Sequence, residues 1–338
     1  MTNATFNLLS VVIIGRNEGV RLERCIDSVM AMNAALPVEL IYVDSHSTDD
    51  SVELAQHMGA TAIELGPGKT TAARARNAGW QLAKGDLILF LDGDTILHPD
   101  FVAKALPSLI EPDLCAVFGD RREMLTGDSV YNCVLDLDWI FPYGDSDYFG
   151  GDVLVRRSVL AEVNGYDTTL IAGEEPEMCC RIRERGYRIL HLELPMTEHD
   201  LAMTRFKQYW RRSVRTGFAY ACVSRLRRNH LLTLWQHESR HNLRQAVIFT
   251  LGALAAAVLS PVLHSFWPAA LYIIFILALS IRSAWTHRNK SGNWLTLFLY
   301  GFHSHLQQIP IAIGQTQFFF KRNAQHSLIE YKHAEGKR

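Results

Sequence analysis

The chain has no Cys-x-x-Cys spacing, although it holds six cysteines, Cys25, Cys115, Cys133, Cys179, Cys180 and Cys222. Its only adjacent pair falls in a helical pattern, which argues against a zinc site or a disulfide framework. The first eight residues lack a basic start and an apolar stretch, and a strand-like run, Ser10 to Ile14, follows at once. The N-terminal domain is therefore expected to stay in the cytosol with free thiols. There is no internal repeat and no low-complexity tract. Net charge is also nearly absent, at -1, which favours no class of partner. Acids, however, are almost missing between Arg205 and Arg244, where Glu238 alone faces ten lysines and arginines. Such a stripe suits anionic lipid headgroups, a phosphate-bearing ligand or a solvated helix face. It lacks a recognised nucleic-acid reading module, so no nucleic-acid partner is expected.

A length of 338 residues and 48% hydrophobic content allow one large domain and an appendage. Up to residue 120, short apolar β-branched runs alternate with segments of helix length. They are Val11 to Ile14, Val20 to Ala34, Leu40 to Val43, Asp49 to Met58, Ala62 to Leu65, Thr70 to Lys84 and Leu87 to Leu91. This is a βα series and predicts an α/β fold with a mostly parallel sheet covered on both faces. Ligands of such sheets bind beyond the carboxyl ends of the strands, a rule that puts Asp44, Asp92 and Asp94 on one rim. Residues 117 to 188 are less regular and punctuated by glycine. Glu174 to Arg185 then reads as a helix closed by Gly186, followed by a strand from Tyr187 to Leu190.

Beyond the basic stripe, Ala246 to Leu263 and Trp267 to Ile281 carry no charge. They read as a helical hairpin in the bilayer over residues 246–284, with basic residues at both ends and hence both ends cytosolic. Residues 294–320 mix apolar side chains with His303, His305 and several glutamines, which predicts a re-entrant or interfacial helix pair. The expected organisation is a catalytic domain over 1–225, a basic interfacial helix or linker over 226–245, a membrane region over 246–320 and a basic cytosolic tail over 321–338.

Asp92-Gly93-Asp94 supplies two hard oxygen donors at a strand end, the donor type a divalent metal needs to grip a diphosphate. A triplet of this kind is common by itself. Here it stands in order with Val11-Val12-Ile13-Ile14-Gly15-Arg16-Asn17-Glu18, Val43-Asp44-Ser45-His46-Ser47-Thr48-Asp49-Asp50-Ser51, Ala75-Arg76-Asn77-Ala78-Gly79, Gly150-Gly151 and Gly173-Glu174-Glu175. That combination, over residues 8 to 220, resembles the family 2 inverting glycosyltransferases of the GT-A fold, in their membrane-anchored bacterial form.

The resemblance implies transfer of a sugar from a nucleotide-diphosphate sugar with the help of a divalent metal, Mn or Mg. It implies that Glu18, Asp44 and Asp92 seat the donor. Arg74 and Arg76 lie two apart and so on different helix faces, and one of them, Arg76 by preference, is expected to reach the donor diphosphate unless both lie on the helix surface. The same resemblance implies Asp94 as the principal metal ligand, joined by Asp92 and His199. Glu175 aligns with the catalytic base, normally an Asp, and the start of its helix favours the ionised form. Gly150, Gly151 and Glu174 fall in the acceptor region. Gln208-Tyr209-Trp210-Arg211-Arg212 resembles a Gln-x-x-Arg-Trp element of processive synthases without its final Trp, and puts Gln208, Trp210 and Arg211 near the acceptor or diphosphate. The expected acceptor is a lipid or lipid-linked saccharide of the cell envelope, reached at the cytosolic face of the inner membrane, with membrane lipids as further partners. A processive polysaccharide synthase subunit, a nucleotidyltransferase and a catalytically silent membrane scaffold remain as alternatives.

Overall fold

The computed structural model describes residues 6–320, and the tail expected over 321–338 lies outside the described residues. In chain order the first elements are β1 (Leu9–Gly15), α1 (Val20–Met30), β2 (Val38–Asp44), α2 (Ser51–His57), β3 (Thr61–Glu64), α3 (Ala72–Leu82) and β4 (Leu87–Asp92). There follow β5 (Thr95–Leu97), α4 (Phe101–Ala105), β6 (Leu114–Glu123), α5 (Val130–Asp136), β7 (Gly144–Asp145), β8 (Val153–Arg156), α6 (Arg157–Glu162), α7 (Glu174–Glu184) and β9 (Arg188–His199). The rest is helical: α8 (Phe206–Leu226), α9 (Gln236–Val262), α10 (Trp267–Thr286), α11 (Trp294–Leu306) and α12 (Gln308–Phe320). These elements form two compact units. Of the described residues, one holds those up to Met124, Phe141–Leu201 and Asn229–Leu234; the other holds Leu125–Ile140, Ala202–Arg228 and those from Trp235 onward.

The first unit is a nine-stranded sheet in the order β3-β2-β1-β4-β8-β6-β9-β5, with β7 paired to β9. β1 runs parallel to β2 and β4, and β2 parallel to β3. The sequence predicted this half well, because β1 and β4 are apolar along nearly their whole length and buried on both faces. Beyond β4 the sheet is mixed: β8 is antiparallel to both β4 and β6, whereas β6 and β9 are parallel. β9 outruns the short strand expected from Tyr187 to Leu190. Its pairing with β6 slips at Asp120, opposite Pro195, so a residue without an amide hydrogen is accommodated and the strand continues to His199.

The second unit is built on α8 and α12, whose backbones meet at two glycines. A Cβ on Gly217 would strike the carbonyl of Ile311, and one on Gly314 would strike that of Val214. The boundary expected at residue 225 differs here, since α8 and residues 125–140 belong to the helical unit. Basic side chains hide the seam of α8 in sequence, yet Tyr209, Ser213, Val214, Gly217, Phe218 and Ala221 are buried at helical spacing. Within the stripe, Arg227 is only 1% exposed, unlike a solvated helix face. Residues 125–140 are tied in by polar contacts. Tyr209 Oη lies 2.7 Å from His303 Nδ1, His303 Nε2 lies 3.5 Å from Asp138 Oδ2, and Lys290 Nζ donates to the Leu137 carbonyl at 2.7 Å.

α9 and α10, of 27 and 20 residues, are long and apolar enough to cross a membrane by length and composition. Only 17% and 11% of their most apolar stretches are buried, which is too little for the core helices of a soluble protein. Trp267, Trp285 and Trp294 are exposed at or just beyond the ends of α10. α11 and α12 have 13 residues each, about 20 Å of helix, and neither alone matches a hydrocarbon core of about 30 Å.

Candidate active site

The register of the parallel strands builds the rim. Gly15, the last residue of β1, stands opposite Asp44 at the end of β2, and Ile14 stands opposite Asp92 at the end of β4. Glu18 lies over this gap: a Cβ on either Gly15 or Gly93 would come within 3.2 Å of its Cγ. Its carboxylate also pairs with Arg21 at 2.8 Å. Asp44 is 1% exposed and accepts from the Tyr42 hydroxyl at 2.9 Å, the Ser47 amide at 2.7 Å and the Ser47 hydroxyl at 2.5 Å. The carboxylate is therefore fixed by its own loop, where His46 has a left-handed φ of 62°.

His199 closes the far side of the rim. Antiparallel pairing of β5 with β9 sets it opposite Thr95, the residue after Asp94, and the Asp200 amide donates to the Asp94 carbonyl at 3.0 Å. His199 Nε2 is consequently 3.3 Å from Asp94 Oδ1. Behind the ring, the enclosed Glu123 carboxylate is 3.7 Å from Nδ1 and accepts the Leu201 amide at 3.0 Å. One donor atom from each of Asp92, Asp94 and His199 falls within 4.8 Å of the others. Two carboxylates and an imidazole backed by a further carboxylate form a donor set that fits a divalent ion such as Mn²⁺.

Glu175 opens α7, whose first turn carries Glu174, Glu175 and Glu177 after Gly173 in the left-handed region. Glu177 is taken up by Arg181 at 2.8 Å. Glu174 and Glu175 instead meet Arg76, whose Nη1 is 3.3 Å from Glu174 Oε1 and 2.8 Å from Glu175 Oε1. Burial and the neighbouring Glu174 carboxylate push Glu175 up to about 7, with Arg76 opposing them. The helix start was expected to keep Glu175 ionised; here burial outweighs it, leaving the group poised near neutrality. The other arm of Arg76, Nη2, lies 2.9 Å from Asp92 Oδ1. Gly151 makes room for this pair, since a Cβ there would lie 2.7 Å from Arg76 Nη2 and 2.8 Å from Asp92 Oδ2. Gly150 faces open space. Arg74, two residues before Arg76, bonds instead to the carbonyls of Gly66, Pro67 and Lys69.

Arg121 and Asp152 were missed in the sequence. Arg121 is 3.3 Å from Asp92 Oδ2 and 3.3 Å from Asp152 Oδ2, and Asp152 accepts from the Thr197 hydroxyl at 2.7 Å and the Asp92 amide at 3.2 Å. Burial alone would raise Asp92, but Arg76 and Arg121 hold it below the usual carboxylate range. Asp152 is raised, by burial first. Gln208, Trp210 and Arg211 lie on α8 of the helical unit. There Gln208 accepts from the Thr204 and Arg205 amides at 3.1 and 3.0 Å and so caps the helix, while Trp210 packs 5.5 Å from the Phe206 ring.

Comparison with known proteins agrees with this architecture. Residues 10–157 match the family model described as Glycosyl transferase family 2. The pre-mycofactocin glycosyltransferase of Mycobacterium tuberculosis is 25% identical over 211 residues, which cover 57% of this chain and 42% of that protein. The amylovoran biosynthesis glycosyltransferase AmsB of Erwinia amylovora is 27% identical over 191 residues, 50% of this chain and 61% of that one. The chain thus spans less than two thirds of the length of these relatives. Among solved structures, the mannosyltransferase PcManGT from Pyrobaculum calidifontis in complex with GDP-Man and Mn²⁺ shares the fold with a TM-score of 0.66. Its identity is 18%, over 93% of this chain and 88% of that one. Over residues 10–157 the chain is thus similar to Glycosyl transferase family 2, and it has the GT-A fold.

Proposed function

We propose that the protein is a metal-dependent inverting glycosyltransferase, which moves one sugar from a nucleotide-diphosphate sugar to a lipid or lipid-linked saccharide at the cytosolic face of a membrane. The observation that carries this reading is the meeting of Asp92, Asp94 and His199 at the sheet rim, with Glu175 joined to Asp92 through one arginine. Asp44 and Glu18 face the nucleoside side of that rim and seat the donor. When bound, a divalent ion would neutralise charge developing on the departing diphosphate, and Asp94, His199 and Asp92 are the residues that would hold it. The imidazole favours Mn²⁺ over Mg²⁺, which prefers oxygen ligands and keeps its waters. Glu175 takes the proton of the acceptor hydroxyl; the freed oxygen bonds to the anomeric carbon as the bond from that carbon to the diphosphate oxygen breaks. The bound mannose donor and Mn²⁺ of PcManGT support this choice of donor class and metal. The two apolar helices support a membrane-borne acceptor.

The test is release of nucleoside diphosphate from a panel of nucleotide sugars by the purified chain, with and without Mn²⁺, using membrane extract or soluble sugars as acceptor. Glu175→Gln is expected to lower transfer by about 10²-fold or more while Mn²⁺ binding persists. Near wild-type transfer by that variant would remove Glu175 from the base role. Turnover with soluble sugars alone would remove the lipid acceptor.

A further inference from the structure

The sequence pointed Arg76 toward the donor diphosphate, but its surroundings point elsewhere. The residue is 2% exposed, and its guanidinium lies 5.6 Å over the Tyr166 ring. That ring is placed by Asn77, the next residue of the chain, which accepts the Tyr166 amide at 2.9 Å and donates to its carbonyl at 2.8 Å. One arm of the fork holds Asp92 Oδ1, and the other holds Glu175 Oε1 with Glu174 Oε1 beside it. Asp92 and Glu175 come from different elements, the end of β4 and the start of α7, and Arg76 touches both.

We propose that Arg76 is a positioning residue that couples the metal-binding rim to the base, setting the aim of Glu175 and the orientation of Asp92 together. This inference rests on the roles given above to Asp92 and Glu175. A planar guanidinium can serve both carboxylates because its two arms diverge at a fixed angle. A lysine ammonium at the same place is a single point and can stay with only one of them. With both terminal nitrogens of Arg76 held by carboxylates, the diphosphate is left to the metal and to groups other than these two arms. Gly151 belongs to the same device, because a methyl group there would enter the space between Nη2 and Asp92.

The test compares wild type with Arg76→Lys and Gly151→Ala, each as the full chain. Mn²⁺ binding is measured by calorimetry without nucleotide, and kcat and KM for the donor are measured separately. For a coupling residue, both variants lose about 10²-fold in kcat, the scale of a 1 Å misplacement of a reacting group. Donor KM then stays within about threefold, and Mn²⁺ affinity changes in the same variants because Asp92 has been released. The Gly151→Ala chain keeps the arginine, so it carries the test if Arg76→Lys folds poorly. A large rise in donor KM with Mn²⁺ affinity unchanged would place Arg76 on the diphosphate and overturn the proposal. Unchanged kcat and Mn²⁺ affinity in both variants would overturn it as well, leaving the glycosyl-transfer reading intact. A wild-type chain that shows no Mn²⁺-dependent turnover of any nucleotide sugar would overturn both.

Discussion

Glu175 is held near neutrality by two effects of the same sign, burial and the Glu174 carboxylate. A base must be unprotonated to work. kcat/KM for the Mn²⁺-saturated enzyme should therefore rise about tenfold per pH unit below about 7 and level off above it. Glu174→Gln removes a charge that raises the Glu175 pKa, so the rising limb should move to lower pH. A limb that stays in place in this variant would assign it to another group. The acids of this site were legible because they stand at strand ends, where an apolar run stops at a carboxylate: Asp44 after Tyr42-Val43, Asp92 after Phe90-Leu91. Arg121 and Asp152 were not legible. Arg121 is aimed by a slip in the β6–β9 register that no sequence pattern announces, and Asp152 is an isolated acid after two glycines. Gln208, to which a motif resemblance gave a substrate role, has a capping contact that the motif did not announce.

At the scale of elements, the parallel half of the sheet could be read from hydrophobic runs because both of its faces are covered. The helical unit could not, because its contacts depend on an absence of side chains. Gly217 and Gly314 let α8 and α12 approach backbone to backbone, and nothing in composition marks those two glycines among the 22 of the chain. Alanine at either position must push the helices apart. Gly217→Ala and Gly314→Ala are each expected to destabilise the helical unit by about 1–3 kcal/mol or more, read as a lower melting temperature in detergent. Gly59→Ala is no control, since Gly59 has a left-handed φ of 87°. Gly66→Ala is a suitable one, because a Cβ there meets nothing within 4 Å and its φ is not positive. Equal melting temperatures for the Gly217, Gly314 and Gly66 variants would show that the two helices are not in close contact.

For the whole molecule, the exposed apolar surface of α9 and α10 should decide where the protein resides. Ile274 and Leu277 lie mid-helix and are 56% and 42% exposed. An arginine at the centre of a span costs about 2.5–3.5 kcal/mol, so the double variant Ile274→Arg, Leu277→Arg should be released from membranes by alkaline carbonate while the wild type is retained. Equal retention would mean that α10 does not enter the bilayer. The rim has a different consequence, concerning the order in which ligands arrive. Although the chain is almost neutral overall, the carboxyl groups of Asp92, Asp94, Asp152, Glu174 and Glu175 gather at this spot around the guanidiniums of Arg76 and Arg121. A bare diphosphate approaching such a surplus of carboxylates is repelled, whereas a divalent cation is drawn in. Initial-rate kinetics should accordingly show an ordered sequence in which the cation enters first or escorts the nucleotide, and calorimetry should find no nucleotide binding in a chelator.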